Sequence, residues 1–277
     1  MTRSSKSSVS VNKNPQFCAI SGFALKEELF YVLEWCRENQ YEGIELWGDV
    51  PFMYADIVSK MMLKKVDCIT EGMEISVHGP MYGTNISAVN PGILKETVRQ
   101  FDKIIGWAEF LPIKRIVIHP GKLPSLSKDI KERVLGIAVS GINKLQKRAA
   151  GAGAELILEN IGLDRYDVDH EFRMFEYIID NTGVGICLDV GHGNITGATA
   201  AIINKWPGKI KQVHVHGNNG KTDQHLPAGG GTADWNMIIK YMKKYSIPAV
   251  HEIHSDRQIE RDMLNSRERV KILLGQK

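Results

Sequence analysis

Histidines and acidic residues recur at the ends of short apolar runs in this sequence. They lie at the ends of the apolar runs in the segments ISVHGP, IVIHPG, LILEN, CLDVGH, VHVHGN and VHEIH. Two more lie in the loop sequence GNNGKTDQHLPAGGG. The candidate ligands are His78, His119, Glu159, Asp189, His192, His214, Asp223, His225 and Glu252. Imidazole nitrogens and carboxylate oxygens are typical ligands of divalent metals. Because converging carboxylates repel one another unless a cation lies between them, the pattern predicts a metal site.

The elements that must position these side chains alternate between short β-branched runs and longer segments of helical period. Strands are predicted at 17–21, 43–47, 74–78, 115–119, 155–159, 184–189, 210–216 and 249–254. Helical period is clearest at 25–39, 93–111, 130–152 and 235–245. Eight βα units in about 260 residues match one (β/α)8 TIM barrel of the α/β class.

A doubly wound open sheet is the main alternative to the barrel. That fold normally carries a GxGxxG turn after its first strand, whereas Ser21-Gly22-Phe23-Ala24 contains one glycine. The barrel is therefore favoured. In a barrel the reactive face lies at the C-terminal ends of the strands, so we expect the candidate ligands to converge there.

The remaining histidines divide into two groups. His216 and His254 follow a proposed ligand by two residues on the same predicted strand, so strand alternation points them to the ligand side. We expect them to contact ligands or substrate. His251 points the other way and His170 lies in a polar helical segment, so both are predicted to be ordinary structural residues. The glycines at 229–231 fit either an anion-binding loop or a loop that folds back over the site.

Composition limits the classes of partner. Thirty-five Lys and Arg against thirty-two Asp and Glu give a net charge of +3, too small to indicate a nucleic-acid or membrane partner. The four cysteines form no CxxC pair, which fits a reducing, cytoplasmic location. The sequence contains no run of 18 consecutive apolar residues, so no membrane span is predicted. A polar, Ser-rich stretch at 1–15 is predicted to be a flexible tail, and residues 16–277 are predicted to form one catalytic domain. The sequence is compatible with both a monomer and a homo-oligomer.

Taken in order, the motifs HGP, HPG, LEN, DVGH, HVHGN, DQHLPAGGG and HE resemble the xylose isomerase-like TIM-barrel superfamily. The resemblance covers nearly the whole chain from about residue 16. The superfamily includes sugar and sugar-phosphate isomerases and epimerases as well as endonuclease IV-like enzymes, the AP endonuclease family 2. The resemblance therefore implies one of two chemistries.

In the epimerase branch, the resemblance implies one divalent metal held by Glu159, Asp189, His214 and Glu252. Glu159 and Glu252 would also act as acid and base. This reaction moves a proton between adjacent carbons through an enediolate, so it needs a cation to stabilise the oxyanion and a carboxylate on each side of the sugar.

In the endonuclease IV branch, the resemblance implies three zinc ions and the cleavage of abasic DNA. Glu159 would bridge two of the ions. The ligand sets would be His78, His119 and Glu159 for the first ion, Glu159, Asp189, His214 and Glu252 for the second, and His192, Asp223 and His225 for the third. Clustered metals suit phosphodiester cleavage because they generate a hydroxide and clamp the phosphate.

Each branch has a departure in this sequence. Where such epimerases often carry an Arg, the chain has Gly220, and the neighbouring Lys221 becomes the candidate substrate contact. The loop sequence GDVPFMYAD has no Lys or Arg for opening DNA, and Tyr82 is the nearby aromatic residue in the next loop. A DNA-docking surface is thus missing from the sequence pattern.

The sequence favours a metal-dependent isomerase or epimerase of a small sugar or sugar phosphate, with abasic DNA as the alternative substrate. One to three ions of Zn, Mn, Co or Mg are expected. A non-catalytic binding module is disfavoured, since such a module needs neither the acid nor the base glutamate.

Overall fold

The structure is a computed structural model that describes residues 14–24 and 26–276. Eight parallel strands form a closed barrel in sequence order. They are β1 (Gln16–Ala19), β2 (Gly43–Trp47), β3 (Glu74–His78), β4 (Ile113–Ile118), β5 (Glu155–Glu159), β6 (Gly185–Asp189), β7 (Ile210–Val215) and β8 (Ala249–His251). Closure comes from pairing of β1 with both β2 and β8. The predicted fold class, a single (β/α)8 barrel, is confirmed.

Nine α-helices surround the barrel in the described part of the chain. They are α1 (Leu29–Glu38), α2 (Lys60–Ile69), α3 (Pro91–Gly106), α4 (Lys128–Gly151), α5 (Phe172–Thr182), α6 (Val190–Thr196), α7 (Thr199–Lys205), α8 (Trp235–Tyr245) and α9 (Ile259–Leu274). Side-chain N-caps start several of them, including Ser59 for α2, Asn90 for α3 and Asp234 for α8. These short polar side chains accept hydrogen bonds from the backbone N–H groups that a helix leaves unpaired at its start.

Strand alternation divides the core into two layers. On β5, Leu156 and Leu158 face the helices and belong to the large cluster between barrel and helices. Ile157, between them, packs inside the barrel with Val117 and Cys187. Since side chains on a strand alternate, Glu159 faces the same interior as Ile157, directly above this apolar plug. The acidic side chain of Glu159 thus lies at the upper end of the barrel interior, above packed apolar side chains.

The strand bounds depart from the predictions mainly at the C-terminal ends. The predictions at 43–47, 74–78 and 155–159 match the structure, whereas β7 ends at Val215 and β8 at His251. His216, Glu252 and His254 therefore lie just beyond the strands. Beyond β8 the backbone pairs with the loop after β7 instead of with a strand: the His254 backbone N–H donates to the His225 carbonyl.

Two predicted boundaries lie next to residues outside the described ranges. The first helix begins at Leu29 rather than 25, and Leu25 lies outside the described residues. Of the predicted tail at 1–15, residues 1–13 also lie outside them. Asn14 is buried, and its amide donates to the carbonyls of Met242 and Ile247, so barrel contacts already include this residue.

Within the residues described, no helix combines the length and the apolar character needed to cross a bilayer.

Candidate metal centre

Four side chains from successive strand ends meet at the top of the barrel. They are Glu159 from β5, Asp189 from β6, His214 from β7 and Glu252 just after β8, and we call them the inner cluster. Their ligand atoms all lie within 4.8 Å of one another. His214 Nδ1 lies 3.1 Å from Glu252 Oε2, 3.6 Å from Glu159 Oε1 and 3.7 Å from Asp189 Oδ2. All four residues are buried.

The donor set of the inner cluster fits a divalent cation. Glu159 Oε2 and His214 Nδ1 are buried atoms without a hydrogen bond. Leaving a buried polar atom unpaired costs about 1–3 kcal/mol. A cation among three carboxylates and an imidazole would satisfy His214 Nδ1 and offset the repulsion among the carboxylates.

Electrostatics keep the inner carboxylates charged. Burial by itself raises the pKa of Glu159, but the imidazoles of His214, His119 and His192 outweigh burial and hold this pKa well below its usual range. For Glu252, burial also opposes ionisation, and His214 with His225 lowers the pKa well below the ordinary value. Both glutamates are therefore ionised and able to act as metal ligands.

Glu45, which the sequence analysis did not single out, orients His214 from inside the barrel. Its Oε1 lies 3.0 Å from His214 Nε2. Its Oε2 accepts hydrogen bonds from Gln212 Nε2 at 2.6 Å and Ser76 Oγ at 3.0 Å. With a cation in the inner cluster, His214 would be neutral, donate from Nε2 to Glu45 and offer its Nδ1 lone pair to the ion. The available signal was an acidic residue inside the apolar β2 sequence GIELW.

A second group shares Glu159 with the inner cluster. Nε2 of His78 and Nε2 of His119 each lie 3.3 Å from Glu159 Oε2 and 3.2 Å from each other. His78 Nδ1 lies 2.9 Å from the Gly79 carbonyl, so in the neutral ring Nδ1 carries the proton and Nε2 the lone pair. Burial lowers the pKa of His78, but the neighbouring Glu159 carboxylate outweighs it and raises this pKa to about 9. Only a proton or a cation makes this close contact favourable.

A third group lies nearer the surface, and we call it the outer cluster: His192, His216, Asp223 and His225. His192 comes from the first turn of α6, whereas Asp223 and His225 come from the loop at 217–234. Asp223 Oδ2 lies 2.9 Å from His225 Nε2 and 3.4 Å from His192 Nε2. The side chain of Asp223 is 28% exposed, unlike any member of the inner cluster.

Backbone carbonyls fix the imidazoles of the outer cluster. His192 Nδ1 lies 3.0 Å from the Asn160 carbonyl, and His225 Nδ1 lies 2.9 Å from the Glu252 carbonyl. Each ring therefore donates from Nδ1 and turns its Nε2 toward Asp223, so that a proton or a cation must lie between Nε2 and the carboxylate. This arrangement also suits a divalent cation.

His216 and His254, predicted to contact ligands or substrate, both lie at the site. His216 Nε2 lies 3.0 Å from both carboxylate oxygens of Asp189. The His216 ring stacks on His225 with centroids 3.9 Å apart, and His225 stacks on His254 at 4.0 Å. His216 thus connects the inner cluster with the outer one.

Glycines create the space that this arrangement needs. A Cβ atom at Gly191 would lie 1.9 Å from His216 Cε1, so the imidazole occupies the place of a side chain. In the loop at 217–234, Gly231 has φ +75°, and a Cβ there would lie 2.0 Å from the Asn218 carbonyl oxygen. The glycine run therefore lets the loop fold back on itself, which was one of its two predicted roles.

A cavity of about 620 Å³ opens above the clusters. Tyr82 lines its mouth, is 60% exposed, and makes an edge contact with Trp47. Lys221 is exposed and is not among the described residues that line this cavity; its backbone N–H donates to Asn219 Oδ1. Lys26 lines the cavity instead and donates to the Ser255 carbonyl.

The two histidines predicted to be structural lie away from the clusters. His251 Nδ1 lies 2.9 Å from Ser266 Oγ and its Nε2 2.9 Å from Gln16 Oε1. His170 Nδ1 lies 3.0 Å from the Gly162 carbonyl. Neither ring lines the main cavity.

Sequence comparison assigns the barrel. A family model described as xylose isomerase-like TIM barrel matches residues 33–273. The chain belongs to this family. The uncharacterized protein MJ1311 of Methanocaldococcus jannaschii is 29% identical to this chain over 206 residues, which cover 72% of this chain and 69% of that protein.

Solved structures show the same barrel. A D-tagatose 3-epimerase-like protein is 25% identical, with a TM-score of 0.82 over 94% of this chain and 97% of that one. The IolI protein, solved with a zinc atom, is 17% identical, with a TM-score of 0.78 over 94% of this chain and 98% of that one. The likeness to IolI shows the fold, while the family assignment rests on the sequence match.

Proposed function

We propose that this protein is a divalent-metal-dependent isomerase or epimerase of a small sugar or sugar phosphate, which transfers a proton between adjacent carbons. One observation carries the proposal: Glu159 and Glu252 are buried, belong to one ligand cluster and line the same cavity. Proton transfer at a carbon next to a carbonyl is catalysed by a base and an acid, and a cation can stabilise the negative charge that develops on the oxygen.

The two glutamates approach the cavity from different sides. Glu159 ends β5 and Glu252 follows β8, so β6 and β7, which carry Asp189 and His214, lie between them in the barrel. Under this proposal, one carboxylate accepts the proton from one face of the substrate and the other returns it. A divalent ion held by the inner cluster would polarise the substrate oxygens and stabilise negative charge on them.

The cavity and the relatives support a small substrate. About 620 Å³ falls within the range of roughly 300–1,000 Å³ that is typical of small-molecule sites. The D-tagatose 3-epimerase-like structure supports a sugar, and the zinc atom of IolI supports a metal.

Isotope exchange tests this proposal directly. The metal-loaded protein is incubated in deuterated water with ketoses, aldoses and their phosphates, and deuterium at carbon is measured by NMR. We expect exchange with at least one sugar and its loss in Glu159→Gln and Glu252→Gln. His170→Gln, which changes a ring outside the cavity, serves as the matched control. Absence of exchange across the whole panel would contradict the proposal.

A phosphodiesterase acting on abasic DNA is the second candidate function. The observation in its favour is the presence of three adjoining ligand groups: the pair His78 and His119 with Glu159, the inner cluster and the outer cluster. Against it, the residues of the loop after β2 that line the cavity mouth, Val50 and Pro51, carry no charge. The test is nicking of a duplex with one abasic site. Nicking that a chelator abolishes would place this function first.

A further inference from the structure

One buried carboxylate joins the loops that follow β2 and β3. Asp49 comes two residues after the end of β2 and is 5% exposed. Its Oδ1 accepts a hydrogen bond from the Val50 backbone N–H at 2.7 Å. Its Oδ2 accepts from the backbone N–H groups of Met81 and Tyr82, each at 2.8 Å. The two oxygens of one side chain therefore hold both loops.

These hydrogen bonds explain how a carboxylate can be buried between two loops. A buried charge is costly unless it is hydrogen-bonded, and N–H groups bind an ionised oxygen more strongly than a neutral one. The three donors to Asp49 belong to the backbone, so their positions are set by the path of the loops. Asp49 thus fixes the shape of the loops rather than the direction of a neighbouring side chain.

The two loops form one side of the mouth of the main cavity. Its lining includes five residues that we call the rim: Trp47, Val50, Pro51, Met81 and Tyr82. Trp47 Nε1 donates to the Val50 carbonyl at 2.8 Å. The ring of Tyr82 meets the ring of Trp47 edge-on, with centroids 6.0 Å apart. Because Asp49 holds Val50 and Tyr82 together, it also sets the contact between the two aromatic rings.

The aromatic part of the rim lies beside the candidate ligands. The ring centroid of Trp47 is 5.0 Å from that of His78, and His78 Nε2 is 3.3 Å from Glu159 Oε2. A sugar that reached the inner cluster would therefore extend along Trp47 and Tyr82. Aromatic rings with a polar edge are common in small-molecule sites, where they offer a flat apolar face beside a few polar groups.

We propose that Asp49 is a positioning residue for substrate binding, which holds the rim so that Trp47 and Tyr82 form a wall for the part of the sugar that does not react. This inference rests on the proposed function, because it concerns the substrate of the same site. Asp49 acts through Tyr82 and is not among the described residues that line the cavity. Its loss should therefore weaken substrate binding and leave the chemical step intact.

Two substitutions remove the acceptors of Asp49 stepwise. Asp49→Ala removes both oxygens and frees the two loops from each other. Asp49→Asn keeps one oxygen, and its NH2 group would face a backbone N–H donor, so the amide can hold only one of the loops. We expect the effect of Asp49→Asn to be smaller than that of Asp49→Ala. Asp49→Asn also serves if Asp49→Ala does not fold.

Amide hydrogen exchange measures the loops without any substrate. Exchange of the backbone amides is followed by NMR in deuterated water. In Asp49→Ala we expect the amides of Met81 and Tyr82 to exchange at least tenfold faster than in the unchanged protein. Asp234→Ala is the matched control, because Asp234 also accepts a backbone N–H but lies outside the cavity lining. It should leave both rates within twofold, and unchanged rates in Asp49→Ala would overturn the proposal.

Steady-state kinetics test the effect on the substrate, with a sugar that exchanges deuterium in the panel described above. In Asp49→Ala we expect KM to rise at least tenfold, with kcat and bound metal within twofold of the unchanged protein. Asp49→Asn should give an intermediate KM, and Asp234→Ala an unchanged one. A loss of kcat or of metal in Asp49→Ala would overturn the proposal, because Asp49 would then support the clusters instead.

A double-mutant cycle tests whether Asp49 acts through Tyr82. Tyr82 is 60% exposed, so Tyr82→Ala should fold, and it should raise KM at least tenfold at unchanged kcat. Adding Asp49→Ala to Tyr82→Ala should raise KM by less than threefold more, because the ring that Asp49 positions is already absent. Effects that multiply in full, or an unchanged KM in Tyr82→Ala, would overturn the proposal.

The experiments separate the possible failures. If no sugar of the panel exchanges with the unchanged protein, the proposed function fails and the substrate role of Asp49 fails with it, while amide exchange still decides whether Asp49 holds the rim. If sugars exchange but KM in Asp49→Ala stays within twofold, the proposed function stands and this inference fails.

Discussion

Two consecutive residues at the end of β8 lie in opposite environments. His251 faces outward, and both of its ring nitrogens have partners, Ser266 and Gln16. Glu252 faces the barrel interior, where the inner cluster contains two buried atoms without hydrogen bonds. Both environments exclude water, and both contain histidine. Protein groups alone satisfy the polar atoms of His251, whereas they leave polar atoms of the inner cluster unsatisfied.

This difference separates a structural polar network from a candidate site. A buried imidazole between two neutral partners needs nothing further, because every polar atom is satisfied. A cluster of carboxylates and imidazoles with unsatisfied atoms is stable only with protons or a cation among them. The inner cluster should therefore respond to metal ions, and the His251 network should not.

The strongest test of this contrast is Glu159→Gln, since Glu159 belongs to both the inner cluster and the group with His78. We expect bound metal to fall below half of the unchanged protein's content and the exchange rate to fall at least about 1,000-fold, because a ligand and a proton acceptor are lost together. Elemental analysis and the exchange assay measure the two effects. His251→Gln is the control and should keep its metal. Normal metal content and rate in Glu159→Gln would refute the assignment.

Removing the metal should lower stability. An ion at 100 times its dissociation constant stabilises the folded state by about 2.7 kcal/mol. For a domain of this size we expect a chelator to lower Tm by about 5–10 °C. Differential scanning calorimetry measures the change. His251→Gln should show the same chelator effect, while Glu159→Gln should show little. A chelator that leaves the Tm of the loaded protein unchanged would contradict the prediction.

Glu45→Gln tests how the barrel interior supports the inner cluster. The amide cannot offer His214 Nε2 a charged acceptor, so the ring is held less firmly and is a weaker ligand. We expect metal affinity to fall about 10–100-fold, measured by competition with a chromophoric chelator. Ser76→Ala, which removes only one hydrogen bond to Glu45, should have a smaller effect. Equal affinities in all three proteins would show that Glu45 does not orient the ligand.

The smallest effect concerns acid stability. Burial, with Arg267 and Lys271 nearby, lowers the pKa of His251 from 6.5 to about 3. The folded state therefore resists protonation of this ring, and the unfolded chain takes up the proton as the pH falls below 6.5. Because of His251, the free energy of unfolding should decrease by about 2 kcal/mol when the pH is lowered from 7 to 5.

Urea unfolding at pH 7 and at pH 5 measures this acid effect. His251→Gln, although less stable at pH 7, should lose about 2 kcal/mol less over the same interval, because its side chain does not titrate. A matched pH dependence of the two proteins would show that the ring is not held neutral.

The sequence was sufficient where strand geometry decides position. Glu159 and Asp189 end apolar runs, and parallel strands bring such ends to one rim of the barrel, so their convergence was predictable. Asp223 and His225 lie on a long loop, and His225 has φ +47°, a backbone conformation that residue spacing does not specify. They were predicted as ligands from their residue types in the loop after the seventh predicted strand, and the family resemblance implied their grouping with His192.

Contacts across the barrel were beyond prediction from one sequence. Glu45 meets Gln212 and His214, and the contact with Gln212 spans 167 positions along the chain. The acidic residue in the β2 sequence GIELW was a visible signal, but only closure of the barrel brings Glu45 together with its partners.

The close approach of Gly191 to His216 also constrains how this barrel can diverge. Because the imidazole fills the space where a side chain at position 191 would lie, any residue with a Cβ there requires a smaller side chain at position 216. The two positions, 25 apart in sequence, should therefore covary. Relatives that keep both would retain the bridge between the two clusters, and relatives that replace one should have replaced the other, which divides the family by a pair of residues.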